Sequence, residues 1–187
     1  MNNQDDLQKL ETDVQYLMDR LAIKDCAARH ARGCDRYDRD MLRNVYHPDG
    51  ADEHGNTINP GPKYTEWADV AHAAAFQLHQ HHICQQHVDI KGDVAHVVTY
   101  VMGMFHDKEG GTGRILGGRY VDLFEKRNGE WRIKIRRSPV EGACAGDASM
   151  LGSPAMKELH YIKGMKDKRD LSYQRPLTLD KTEADYW

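Results

Sequence analysis

Two short segments of the chain carry residue types that could move a proton. Residues 30–35 read His-Ala-Arg-Gly-Cys-Asp, and residues 79–82 read His-Gln-His-His. An imidazole with a pKa of about 6.5 accepts a proton at neutral pH, and a carboxylate on its other nitrogen fixes the tautomer and stabilises the imidazolium. If Asp35 and His81 meet in one cavity, they form a general-base pair that needs no cofactor.

These residues also have simpler explanations. Asp35 could bond the amide groups at the end of its own helix, and His81 could be a hydrogen-bonded core histidine. A rival chemistry is a metal site, because His79 and His81 would share one face of a strand and could bind an ion together with Glu53 or His87. We expect no functional metal, since the histidines lack a second cluster at a recognisable ligand spacing.

The hydrophobic pattern before residue 79 predicts helices. A long first helix is indicated by apolar residues at three- and four-residue spacing, namely Leu7, Leu10, Val14, Leu17 and Leu21. Gly33 is the expected stop of this helix, and Asp38 can cap a short second one. Residues 47–50 are expected to form a turn and residues 56–62 a loop, and a further amphipathic stretch begins near Tyr64.

After residue 79 the period changes from helical to alternating, which predicts strands. We expect four of them, over His82 to Ile90, Val94 to Phe105, Arg114 to Glu125 and Trp131 to Ser138. Helices first and antiparallel strands second predict an α+β fold, in which helices cover one face of a curved antiparallel sheet and leave a cone-shaped cavity. Residues 142–187 are expected to form an extension with a helix over Ala155 to Lys163, acting as a lid or wrapping a neighbouring subunit.

Composition narrows the classes of partner. The 187 residues include 26 Lys and Arg against 29 Asp and Glu, a net charge of -3, and no basic run that would follow a phosphate backbone, so we expect no nucleic-acid partner. No stretch approaches the roughly 18 apolar residues of a membrane span. The four cysteines form no Cys-x-x-Cys pair, and we expect reduced thiols in a cytoplasmic protein.

Seven short motifs, in order along residues 9–140, resemble the SnoaL-like branch of the NTF2-like superfamily. They are Leu21-Ala-Ile-Lys-Asp25, Asp35-Arg-Tyr-Asp38, His47-Pro-Asp-Gly50, His81 with Gln85, Asp89-Ile-Lys-Gly-Asp93, Gly118-Arg-Tyr-Val-Asp122, and Gly129-Glu-Trp-Arg-Ile133 followed by Arg136. This branch includes scytalone dehydratase, bile-acid dehydratases, a dehydrochlorinase and other cofactor-free lyases. The resemblance implies a cone-shaped domain over residues 1–141 with an extension over 142–187, and a homo-oligomer, with a trimer favoured over a dimer.

The resemblance also implies roles for particular residues. Lyases of this branch use an Asp on the first helix to orient a His on the sheet, positions that fall here on Asp35 and His81. An Arg on the last strand, matched by Arg136, would face the leaving group, with Arg137 as the alternative if the strand is shifted by one residue. His30 stands where the family tends to have Tyr or Lys. It would act as a second acid or would lie protonated at the helix terminus.

The expected function is a cofactor-independent lyase acting on a hydrophobic, aromatic or polycyclic alcohol. The elimination would be a dehydration, or a loss of formaldehyde from an aryl-substituted diol to give an alkene. Candidate walls for such a substrate are aromatic side chains with a polar handle, namely Tyr37, Tyr64, Trp67, Tyr100 and Tyr120. The alternatives are a non-catalytic binding module, a small oxygenase subunit, or a His-ligated metal enzyme.

Overall fold

A computed structural model describes residues 3–179 and 185–187 of the chain. In these residues the helices are α1 (Asn3–Asp35), α2 (Arg39–Arg43), α3 (Tyr64–Ala75) and α4 (Pro154–Leu159). The strands are β1 (Tyr46–His54), β2 (Thr57–Pro60), β3 (Phe76–Lys91), β4 (Val94–Asp107), β5 (Thr112–Arg127), β6 (Glu130–Arg137) and β7 (Val140–Asp147). Short 3-10 helices cover Gly61–Lys63, Ser149–Gly152 and Leu171–Tyr173. The predicted α+β class is confirmed.

The strands form one curved, open sheet in the order β2-β1-β6-β5-β4-β3. β5 is long enough to pair with β6 through one half and with β7 through the other. β1 runs parallel to β6, whereas the other neighbours are antiparallel. The four predicted strands pair antiparallel as expected. The whole sheet is mixed, because β1 precedes this hairpin series and joins it from outside in the parallel direction.

Three strands lie where the sequence indicated a turn, a loop and an extension. β1 contains the predicted turn at residues 47–50, because Gly50 lets the backbone approach that of β6, where an added Cβ would be 2.9 Å from the Ile133 oxygen. β2 occupies part of the predicted loop. β7 is exposed throughout, so it lacks the alternation that marks a half-buried strand. The sheet thus extends past residue 141 into the predicted extension.

α1 is divided into an exposed half and a buried half. The apolar residues that predicted it are exposed, from 45% at Val14 to 64% at Leu17, and burial begins only at Ile23. The helix continues to Asp35 rather than stopping at Gly33. A Cβ at Gly33 would be 2.9 Å from the Cβ of Leu42, so this glycine is needed for the close packing of α1 against α2.

The hydrophobic core lies between the buried half of α1, α2, α3 and one face of the sheet, which we call the helix-covered face. Its members include Ile23, Leu42, Tyr64, Phe124 and Ile133. None of the described helices is long and apolar enough to cross a membrane.

The C-terminal extension returns to the end of α1. Its short helix α4 ends at Leu159 and is capped by His160, which adopts a left-handed conformation, so the helix is shorter than predicted. Asp38 binds the hydroxyl of Tyr173 at 2.8 Å and the ammonium of Lys168, while Arg36 lies 3.5 Å from Asp170. These contacts fix the extension beside the residues that sequence analysis singled out.

Candidate active site

Asp35 and His81 form a direct hydrogen-bonded pair. Asp35 is the last residue of α1, and its Oδ1 lies 2.7 Å from Nδ1 of His81 on β3. The backbone N–H of His81 also donates to both carboxylate oxygens, at 3.2 and 3.0 Å. When the carboxylate accepts from Nδ1–H, the lone pair of the neutral imidazole is at Nε2. The pair is therefore organised as a base oriented by a carboxylate.

The pleat of β3 determines which histidines share the helix-covered face. His79 and His81 are two residues apart, so both side chains point toward α1. The next residue, His82, is exposed, because successive side chains of a strand alternate between its two faces. Gly103 on β4 lies opposite His81, and a Cβ there would be 2.4 Å from the ring of Phe105. The glycine thus allows Phe105 to pack edge-on against His81, with ring centroids 5.7 Å apart.

His79 and His72 complete a cluster that we call the imidazole cluster: Asp35, His72, His79 and His81. The His79 ring lies 4.3 Å from that of His72, and its Nε2 is 3.1 Å from the Cys34 carbonyl oxygen and 3.8 Å from Asp35 Oδ1. Burial lowers the pKa of His79 to about 4 and that of His72 to about 2. Both imidazoles are therefore neutral at neutral pH.

His72 was not among the candidate residues selected from the sequence, although the sequence contains a signal for it. Thr65, Ala68 and His72 follow helical spacing, and the first two are almost fully buried, which places His72 on the buried face of α3.

The ligand set proposed for a metal ion differs in the structure. In the described residues, the group that could hold an ion is Asp35, His79 and His81, whose ligand atoms lie within 4.8 Å of one another. Glu53 and His87 are not part of it. Glu53 pairs with Arg137, and His87 is exposed because a bulge between Ile83 and Gln86 shifts the alternation of β3. The predicted combination with either residue is wrong.

His30 belongs to a second, fully paired set that we call the closed network: His30, Tyr46, Asp52 and His54. Nε2 of His30 lies 3.0 Å from the Tyr46 hydroxyl, which donates to Asp52, and Asp52 also binds His54 at 2.6 Å. Complete burial lowers the pKa of His30 well below its ordinary value. The imidazole is therefore neutral, which contradicts the expectation of a charged histidine at the helix terminus, whereas its role as a second acid stays a prediction.

Arg136 is fully buried and bound to Asp122 through two hydrogen bonds, of 2.8 and 2.7 Å. Its guanidinium also lies 3.9 Å from the ring centroid of Tyr120, and its Nη1 has no partner among the residues described. Arg137 points outward and pairs with Glu53. The strand register thus places Arg136 on the helix-covered face, and the alternative with Arg137 in the pocket is wrong.

Four of the five predicted aromatic walls lie on the helix-covered side. Tyr64 stacks on His30 at 5.4 Å and contacts Trp67 at 5.6 Å, and Tyr37 lies 5.9 Å from His79. Tyr120 is buried beside Arg136. Tyr100 is the exception. It is 49% exposed because its neighbour Thr99 takes the inward position on β4, so the prediction for Tyr100 is wrong.

Two cavities approach the imidazole cluster. One of about 590 Å³ is mostly apolar and is bordered by His79, Phe105 and residues of β5, β7 and the extension. The other, of about 430 Å³, is bordered by Asp35, His81 and Arg32. Arg36 borders both cavities and therefore supplies a cation beside the dyad, by which we mean Asp35 and His81. Arg36 was not among the residues selected from the sequence.

Comparison with known families identifies the fold. Residues 15–137 match the model of the SnoaL-like domain. The chain belongs to this family. No curated protein sequence matches it significantly.

Solved structures of similar fold include several proteins of low sequence identity. A hexachlorocyclohexane dehydrochlorinase, LinA-type3 from Novosphingobium barchaimii, has a TM-score of 0.67 and 17% identity, over 72% of this chain and 94% of that one. A candidate scytalone dehydratase from Novosphingobium aromaticivorans has a TM-score of 0.64 and 20% sequence identity, over 71% of this chain and 90% of that one. A Mycobacterium tuberculosis protein of unknown function has a TM-score of 0.60 and 24% sequence identity, over 67% of this chain and 77% of that one. These similarities establish the SnoaL-like α+β cone and include lyase-type enzymes among its members.

Proposed function

We propose that the protein is a cofactor-independent lyase that eliminates a leaving group from a hydrophobic aromatic or polycyclic alcohol. The observation that carries the proposal is the 2.7 Å contact between Asp35 Oδ1 and His81 Nδ1, both of which border the cavity of about 430 Å³. Similar structures named as a dehydrochlorinase and a candidate dehydratase support this reaction class.

In the proposed reaction, His81 Nε2 removes the proton and Asp35 stabilises the imidazolium that forms. In a dehydration the C–H electrons form the new double bond, the C–O bond breaks, and water leaves. In the related elimination the proton comes from a hydroxymethyl O–H. Its C–C bond then breaks to release formaldehyde, and the neighbouring C–O bond breaks to release water and the alkene.

The departing oxygen needs a hydrogen-bond donor or a cation. Arg136 is the candidate that sequence similarity selects, and its unpartnered Nη1 supplies a donor. Arg36 is a second candidate because it borders both cavities. His30 is neutral and acts in this proposal only through its bond to Tyr46.

The test is turnover of a panel of aryl and polycyclic alcohols by chelator-treated protein, followed by alkene absorbance and released formaldehyde. We expect wild-type activity to survive chelation, and His81→Ala and Asp35→Asn each to lose about 10² or more in rate. His96→Ala is the matched control, since His96 is exposed on β4 and borders neither of the two cavities. Unchanged turnover in both dyad variants would refute the proposal, and activity that needs added metal would favour Asp35, His79 and His81 as ligands.

A binding module without chemistry is the alternative. It predicts ligand binding that tolerates Asp35→Asn and no turnover of any alcohol in the panel. The hydrogen-bonded dyad favours the enzyme, because a purely apolar binding site has no need of a carboxylate that orients an imidazole.

We also propose that the protein is a cytoplasmic homo-oligomer, with a trimer favoured. Its four cysteines are free. Apolar side chains are exposed together on the sheet face opposite the helices, and outside the apolar cavity they include Tyr100, Met102 and Val121. Patches of this kind mark association surfaces. Light scattering of the purified protein measures the number of subunits, and a monomer would refute this proposal.

A further inference from the structure

A group of buried polar atoms without partners lies next to the catalytic dyad. Within the residues that the structure describes, these atoms include Tyr37 Oη, His72 Nδ1, His79 Nδ1 and Asp69 Oδ1. The rings of Tyr37 and His79 are 5.9 Å apart and those of His72 and His79 are 4.3 Å apart. The charge of Asp69 also acts on the Tyr37 hydroxyl. The unpaired atoms thus belong to one contiguous region between α3, β3 and the turn after α1.

Leaving these groups unpaired is costly. A buried donor or acceptor without a partner costs about 1–3 kcal/mol. Most buried polar atoms in proteins are therefore paired, and a local concentration of unpaired ones needs an explanation. A ligand that supplies the missing partners is one such explanation.

The contacts of His79 define what kind of partner it requires. A carbonyl oxygen only accepts, so the 3.1 Å contact with Cys34 requires the proton on Nε2 of His79. Nδ1 of the neutral ring then carries a lone pair and needs a donor. Tyr37 Oη, in contrast, can donate through its own hydrogen.

We propose that Tyr37 and His79 bind a hydroxyl group of the substrate, distinct from the group that His81 deprotonates. The ligand hydroxyl donates to His79 Nδ1 and accepts from the Tyr37 hydroxyl, which uses both functions of an alcohol. His72 lies beside the same position and extends its polar lining. The substrate is therefore an aromatic compound with at least two hydroxyl groups. This inference rests on the proposed cavity and adds a specificity-determining contact to it.

The location of His79 supports a role in specificity. Its side chain is almost fully buried, it borders the mostly apolar cavity of about 590 Å³, and Phe105 stacks on it with an interplanar angle of 21°. A flat aromatic ligand beside Phe105 would bring a hydroxyl substituent to Nδ1. In apolar surroundings such a hydrogen bond discriminates strongly, because a ligand without the hydroxyl leaves the polar atoms unpaired.

The test compares the binding of 1,2-diphenylethane-1,2-diol and 1,2-diphenylethanol by calorimetry. The bound hydroxyl makes two hydrogen bonds, each of which contributes about 0.5–1.5 kcal/mol, so we expect the wild type to bind the diol about 5- to 160-fold more tightly. Tyr37→Phe should reduce this ratio toward one. The matched control is Tyr100→Phe, which removes a hydroxyl from the opposite, exposed face and should keep the wild-type ratio.

Folding of the variant is checked independently. Because the Tyr37 hydroxyl has no partner in the described structure, Tyr37→Phe should melt at the wild-type temperature or above it. Equal affinities in the wild type, no binding of either compound, or an unchanged ratio in Tyr37→Phe would overturn the inference and indicate that the region binds water. The readout is independent of turnover. Discrimination without turnover would refute the lyase and keep this binding site.

Discussion

Two sets of polar side chains on the helix-covered side differ in how completely they are paired. In the closed network and the Arg136–Asp122 ion pair, almost every polar atom has a partner, and Arg136 Nη1 is the exception. In the imidazole cluster, His81 is held through one nitrogen and His72 and His79 each have an unpaired one. Both sets are buried, so burial alone does not separate them.

We infer that the two sets of side chains have different roles. A closed arrangement fixes the fold, because each member would leave a buried partner unsatisfied if it were removed. An open arrangement contributes less to folding and has atoms available for a ligand. Three predictions test this difference in role by comparing the effects of substitutions on stability.

The largest effect is expected for Asp122→Ala. This substitution leaves the fully buried Arg136 without its carboxylate partner, which should reduce the free energy of unfolding by about 3–5 kcal/mol. Urea unfolding measures the loss. Glu53→Ala is the control, since it removes the partner of an exposed arginine and should cost about 1 kcal/mol or less. Equal losses in the two variants would contradict the assignment of a structural role to the buried pair.

An intermediate effect is expected for Tyr46→Phe. The Tyr46 hydroxyl connects His30 with Asp52. Its loss leaves His30 Nε2 without a partner and removes one of the two partners of Asp52, so we expect a loss of about 1–3 kcal/mol. Tyr37→Phe is the matching change in the open region and should cost nothing. Thermal melting of both variants gives the comparison, and a larger loss in Tyr37→Phe would contradict the proposed difference in role.

The smallest effect is a pH dependence of stability. Burial lowers the pKa of His79 to about 4 in the folded protein, below the ordinary value of about 6.5 in the unfolded chain. Between these values the unfolded chain binds more protons, so stability is fully present above about pH 6.5 and falls as the pH is lowered toward 4. The slope for one histidine is at most about 1.4 kcal/mol per pH unit.

Denaturation at several pH values between 5 and 7 measures this slope. His79→Leu should reduce it, and His82→Leu, at an exposed position, should not. An identical slope in the wild type and His79→Leu would show that His79 is not buried in its neutral form.

Much of the fold was predictable because its signals are local. Alternation marked the four strands of the hairpin series, and helical spacing marked α1 and α3. β1 and β7 were not predicted because their formation depends on neighbours. β1 contains Pro48 and Gly50, which read locally as a turn, and it is stabilised by its parallel partner β6, which lies 84 or more residues further along the chain, as the pairing of Glu53 with Arg137 shows.

The candidate site was likewise only partly predictable, because some of its features depend on distant parts of the chain. The types and order of Asp35, His81 and Arg136 were enough to select them, and the structure brings the first two into direct contact. The choice between Arg136 and Arg137, and the exposure of Tyr100, depended on strand register. A register shift of one residue moves every side chain of a strand to the opposite face of the sheet. His72, Phe105 and Arg36 were missed because nothing in their local sequence relates them to a residue elsewhere in the chain.

The sequence by itself determined which chemical groups are present and which elements carry them: a carboxylate at the end of a helix, imidazoles on a strand, and an arginine near the last strand of the hairpin series. Only the tertiary structure decided how these groups are paired. Burial keeps His30, His72 and His79 neutral, and Asp122 occupies most of the hydrogen-bonding groups of Arg136. Protonation and pairing depend on the environment that distant segments create together, and a linear pattern does not contain that environment.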